Sequence, residues 1–247
     1  MTTARLTTKR RTALAVLSGA VLAGAVAIGA PLMAQASVKK PTASSVLKAA
    51  TAALVREDSV HVMVTTASGT KDSSVVADIG KTTGTETYVS GKESFTISVT
   101  PKYAYLSGTA SGLTTLMGLT TTEQKKVGTR AVAMKEGSAP YATFQKNLTS
   151  GTFANLLPAA KGTALLAQRD KSTGGYQLKW TTQATTSRPK DTTVMVFSSG
   201  KATLPIREYV TSTVGKSKTT FTKWGRAFVV KIPSSTIAYA KVFPTGS

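Results

Sequence analysis

The side chains that ordinarily carry chemistry are scarce in this chain of 247 residues. His61 is its single histidine, and cysteine is absent. Zinc sites draw on several His or Cys ligands, so the sequence cannot assemble one from those residues. A Ser-His-Asp triad would have to recruit His61, and no serine stands in a Gly-x-Ser-x-Gly elbow. His61 alternates with Val60, Val62 and Val64, which places it on the opposite side of a strand from that apolar row. Neither a P-loop nor a dinucleotide fingerprint is present. The carboxylates mostly adjoin Lys, Arg or Ser on polar segments, and Glu57-Asp58 falls at a helix end, a poor setting for paired-acid glycoside chemistry. The residues therefore predict a protein that is not an enzyme and needs no metal or cofactor.

What remains is apolar. Val62, Val64, Phe95, Ile97 and Val99 come from strand-like segments, and Leu113, Leu116, Met117, Phe144, Leu148, Phe153 and Leu156 from a helical stretch between them. A curved sheet covered by helices can leave an apolar space, and such spaces bind apolar molecules through few polar contacts. These residues are the candidate ligand-binding set. The same side chains also suit a solid core in which they fill one another. Trp180 and Trp224 are expected to be packing anchors.

The elements that must position this set follow from periodicity. Residues 44–58 carry Val46, Leu47, Ala50, Ala53 and Leu54 at helical spacing, with Ser44 or Ser45 as the N-cap. From Ser59 the period changes to two, the mark of a half-buried strand. Further strands are expected near 72–79, 84–90, 93–100 and 102–107. A mixed stretch follows, with helical spacing at Leu113, Leu116 and Met117, a helix start at Thr121-Thr122-Glu123, a strand at 129–134 and helical character from Tyr141 to Leu157. Strands resume at 163–169, 175–183, 192–198, 204–213, 217–223 and 227–232, and 234–243 closes the chain as a helical turn. Short strands, frequent turns and no βαβ alternation predict an α+β fold on an antiparallel sheet.

The N-terminal residues predict export. Arg5, Lys9, Arg10 and Arg11 precede an apolar run from Ala13 to Ala30, which closes on Pro31 and Ala34-Gln35-Ala36. We read residues 1–36 as a signal peptide cleaved after about Ala36, residues 37–43 as a linker, and 44–247 as one domain. Lipid attachment needs a Cys at the first mature position, so the mature chain is expected to be secreted into the extracytoplasmic space without a lipid anchor. The chain has 31 basic and 11 acidic residues. Four basic and no acidic residues lie in the signal, leaving a net charge of +16. Such a balance favours anionic membrane or cell-wall surfaces. The charges are scattered, and no nucleic-acid-binding motif accompanies them.

Short fragments add a resemblance. The step from Ala52-Ala53-Leu54-Val55 into Ser59-Val60-His61-Val62 resembles the first helix-to-strand step of the actinobacterial LppX/LprG lipoproteins. Leu204-Pro205-Ile206-Arg207, Phe221-Thr222-Lys223-Trp224-Gly225 and Val229-Val230-Lys231-Ile232-Pro233 resemble that family's closing segments. The resemblance implies a LolA-like fold, a curved antiparallel β half-barrel with helices across its concave face and room for acyl chains. It also implies a non-catalytic binding or carrier protein for a lipid or other acylated apolar molecule. The alternative is a basic, envelope-associated structural or interaction protein bound to anionic cell-wall polymers.

Overall fold

The computed structural model describes residues 42–69, 71–158, 165–185, 189–200 and 202–244. The expected signal peptide, its cleavage point and most of the expected linker lie outside these residues.

The first helix, α1, spans Ala43–Leu54. Thr42 is its N-cap. The Thr42 hydroxyl accepts from the Ser45 N–H while the Ser45 hydroxyl accepts from the Thr42 N–H, each at 3.1 Å. This reciprocal box starts the helix ahead of the expected Ser44 or Ser45, with Ser45 serving as the third helical residue. Val46, Leu47, Ala50 and Leu54 form its buried stripe. The helix stops at Leu54, the last residue of its buried stripe, and not near Asp58, where the stripe would continue into charged Glu57 and Asp58.

The strands are β1 Ser59–Ser68, β2 Lys71–Gly80, β3 Gly84–Ser90, β4 Glu93–Val99, β5 Tyr103–Gly108, β6 Ala131–Lys135, β7 Leu166–Arg169, β8 Tyr176–Thr182, β9 Asp191–Phe197, β10 Pro205–Ser212, β11 Gly215–Thr222 and β12 Thr236–Ala238. Among the described residues they form one open, curved 12-stranded sheet in the order β12-β6-β5-β4-β3-β2-β1-β11-β10-β9-β8-β7. Two antiparallel meanders are joined where β1 pairs with β11. The expectation of a wholly antiparallel sheet is corrected at one edge, where β12 pairs parallel with β6.

The segment 227–232, expected to be a strand, has no ladder partner among the described residues. Its β-branched side chains suit a strand, but β11 already has β1 on one side and β10 on the other. With no free edge beside β11, the chain runs on unpaired, Val229 lies 93% exposed, and pairing resumes only at β12. The expected closing helical turn is thus a short strand followed by α5, Tyr239–Val242.

Helices cover one face of the sheet. α2, Ala110–Met117, packs on β4 and β5, and α4, Ala139–Leu148, reaches across β2 to β6. Between them α3, Thr121–Val127, is held by a capping box in which the Thr120 hydroxyl and the Glu123 carboxylate satisfy each other's backbone N–H. A 3-10 turn, Phe153–Leu156, lies next to α1. Gly84 and Gly112 allow close approach: a Cβ on Gly84 would collide with the Leu148 carbonyl at the end of α4, and one on Gly112 with the Ser94 carbonyl of β4. Tyr141 pins the other end of α4. Its hydroxyl donates to the Thr100 and Pro101 carbonyls at 3.0 and 2.9 Å, and the residue is 2% exposed. Tyr141→Phe is expected to lower stability by about 1 kcal/mol in urea denaturation, the net worth of one buried hydrogen bond.

Candidate functional site

Residues directly opposite in a ladder share a face, so the register defines rows of side chains across the sheet. One helix-facing row runs Phe221–Val62–Ala77–Glu86–Ile97–Leu106–Val132–Ile237. The next runs Leu178–Met195–Glu208–Thr219–Val64–Val75–Tyr88–Phe95. These two rows floor the layer that the helices cover.

Every residue of the sequence-derived set lies in this layer. Phe95, Ile97, Val99, Leu113, Leu116, Phe144 and Leu148 belong to one apolar cluster, with Met117 packed against it. Val62, Val64 and Phe153 belong to a second, with Leu156 against it. The strand residues reach it through the period of two, and the helical ones through α2, α4 and the 3-10 turn. A third cluster joins Val46, Leu47 and Ala50 of α1 to Leu178, Met195 and Phe197. The clusters meet at partly buried side chains: Tyr88 touches the first and second, Leu157 the second and third. Trp180 packs on the third cluster. Trp224 stands edge-on to Phe153 at 5.7 Å and stacks on Phe221 at 6.0 Å, and its indole N–H donates to the Pro205 carbonyl at 2.9 Å. Both act as the expected anchors.

Two carboxyl groups interrupt the floor, and sequence reasoning missed both. Glu86 is 3% exposed between Ala77 and Ile97, where burial pushes its carboxyl up to about 7. Glu208 stands between Met195 and Thr219 and is also pushed up to about 7, by burial first and by the Asp191 charge second. The sequence places most carboxylates on polar segments, and these two lie instead on the helix-covered face. The available signal was the period of two: in 84–90, Glu86 shares a side with Gly84 and Tyr88 while Val89 falls on the other. Nothing local says which side is covered.

The opposite face is polar and holds His61. Its Nδ1 lies 2.7 Å from Asp78 Oδ1, a cross-strand pair with side chains 20% and 31% exposed. This is the strand-surface position that the alternation predicts. Near the β1–β2 and β10–β11 hairpin ends the same face carries an open groove of about 580 Å³, lined in part by Thr65, Asp72, Tyr209, Thr211, Lys216 and Lys218. Among the described residues no cluster of three His, Cys, Asp or Glu could hold a metal ion, and no helix is long and apolar enough to cross a membrane.

Fold and site together define an open half-barrel whose helix-covered face encloses an apolar, carboxyl-bearing interior. The structure is similar to the crystal structure of LprF from Mycobacterium bovis, with 13% identity, a TM-score of 0.48, and coverage of 79% of this chain and 99% of that one. It is also similar to the Mycobacterium tuberculosis lipoprotein LppX, with 14% identity, a TM-score of 0.44, and coverage of 77% of this chain and 100% of that one. These are proteins of the group that the sequence fragments resemble. No family model and no curated protein matches the sequence.

Proposed function

We propose that this chain is an exported, non-catalytic binding or carrier protein for a lipid or other acylated apolar molecule. The ligand lies between the inner sheet face and the covering helices. One observation supports the reading: among the described residues the interior falls into three apolar clusters joined through partly buried Tyr88 and Leu157, where a domain usually has one contiguous core. Separate helices over separate clusters can part along those seams, and an acyl chain entering there meets apolar walls on both sides. The residues proposed to line the chain are the strand set around Val62, Val64 and Ile97 and the helical set around Phe144, Leu148 and Phe153. Export rests on the basic, apolar and Ala34-Gln35-Ala36 segments in order.

Native mass spectrometry of protein purified from its own host tests the reading. The expected outcome is a co-purifying lipid on a chain beginning near Ser37, together with saturable uptake of a fluorescent acyl probe. Loss of both lipid and probe uptake overturns it.

The outer groove favours a second reading, in which Lys216, Lys218 and Tyr209 hold an anionic wall polymer. It expects retention on isolated cell walls that salt releases and that Lys216→Glu with Lys218→Glu abolishes.

A further inference from the structure

Glu86 is the observation that the carrier reading leaves unexplained. Its neighbours along the row are Val62, Ala77, Ile97 and Leu106, all buried and apolar. On its own strand, Gly84 on one side lies against the end of α4, and Tyr88 on the other stacks on Phe95 at 4.9 Å. Among the described residues, Glu86 has no hydrogen bond and no ion pair. Burying a carboxyl without a partner costs stability, and an apolar side chain of similar size would remove that cost. The position therefore holds a polar group for which the described residues supply no hydrogen-bond partner. The adjoining row repeats the feature: Thr219, beside Glu208, is 1% exposed, and its Oγ1 makes no hydrogen bond.

We propose that Glu86, in its protonated form, is the polar contact of the interior site: its carboxyl O–H donates to a neutral oxygen acceptor, such as an ester carbonyl, on the bound acyl ligand. This rests on the carrier reading and deepens it. The apolar neighbours contact the chain on either side of the ester, and the acid holds the ester in register between the first and second clusters. A ligand that accepts from the O–H binds only the neutral carboxyl, so binding and protonation are linked. Burial already favours the neutral form near neutral pH. Burial is the one cause of the Glu86 shift, with no contribution from the titratable groups on the elements packed against it. Tyr88 lies on its own strand, the Tyr141 hydroxyl is engaged by Thr100 and Pro101, Lys146 of α4 is exposed, and Glu93 stands at the far end of β4. Asp72 and Asp78 of β2 point to the opposite face. By the same chemistry, a ligand carboxylate placed against an ionised Glu86 is repelled.

The experiment compares three pyrene probes of equal chain length: an alkyl pyrene, a pyrene-alkanoic methyl ester and the free acid. For the full mature chain, ester affinity is expected to fall about tenfold between about pH 5 and about pH 8.5, while the alkyl probe stays constant. Glu86→Gln keeps a donor and should bind the ester without that pH dependence. Glu86→Leu, which fills the space without a donor, should bind ester and alkyl probes equally. In ¹³C-Glu-labelled protein, the ester should raise the apparent pKa of Glu86. Ester binding that ignores pH, or an unchanged Glu86 titration, overturns the inference while the carrier reading stands. Ester binding by Glu86→Leu equal to wild type shows that the carboxyl serves only structural water, and also overturns it. Failure of all three probes to bind at either pH removes the carrier reading itself.

Discussion

Replacing Phe153 with alanine is expected to lower folding stability by about 4 kcal/mol, within the range for truncating a fully buried aromatic. Phe153 is 1% exposed in a turn of only four residues, Phe153–Leu156, so backbone hydrogen bonding does little to hold that turn in place. What docks it is the ring, set among Leu54 of α1, the valines of β1 and Trp224 of the closing segment. Alanine leaves a space whose walls are strands paired on both sides and cannot collapse into it, which puts the cost toward the upper end of the range. Urea denaturation followed by tryptophan fluorescence measures the loss and also reports the altered surroundings of Trp224. A cost under about 1 kcal/mol, the size of a surface change, would mean that the turn lifts freely from the sheet and that Phe153 anchors nothing.

The second large effect is on the pH dependence of stability. Glu86 titrates near 4.5 when unfolded and near 7 when folded. Between those values the folded state binds more protons than the unfolded state, so stability falls as pH rises. The full benefit of the neutral acid is present below about 4.5 and is gone above about 7. A displacement of that size corresponds to about 3 kcal/mol. Glu208 adds a slope of the same sign, in part from the Asp191 charge. Glu86→Gln should therefore be more stable than wild type by about 2–3 kcal/mol near pH 8 and close to it near pH 4.5. Chemical denaturation across that range measures both ends. A Glu86→Gln profile parallel to wild type would show that this carboxyl is hydrated in the folded state. Such a result would also weaken the proposed ligand contact.

The strand segments were legible because alternation is a local property. Val60, Val62 and Val64 on β1, and Phe95, Ile97 and Val99 on β4, are buried where the period of two places them. Helix positions were equally readable, while their ends were not: a cap at Thr42 and one at Ser44 or Ser45 differ by a hydrogen bond that depends on local backbone conformation. The segment 227–232 shows the limit of propensity. A strand exists only where a ladder edge is free, and whether β11 has one depends on β1, more than a hundred residues away in sequence.

The sequence by itself determined what this protein lacks and what it must bury. One histidine, no cysteine and dispersed carboxylates leave few groups for a zinc or triad site, and the apolar side chains at periods of two and 3.6 demand a sheet with helices on one face. Only the tertiary structure decided which face of each strand is the covered one. For β3 that choice sends Glu86 inward and Val89 out to 41% exposure. The reason is cooperative. Once β2 and β4 place Ala77 and Ile97 toward the helices, the ladder register obliges the residue between them to follow, whatever its polarity. The scarce reactive groups with which the sequence reading began therefore end differently: His61 lies on the outer face, and a glutamate with no local signal becomes the one polar side chain in the middle of an apolar row.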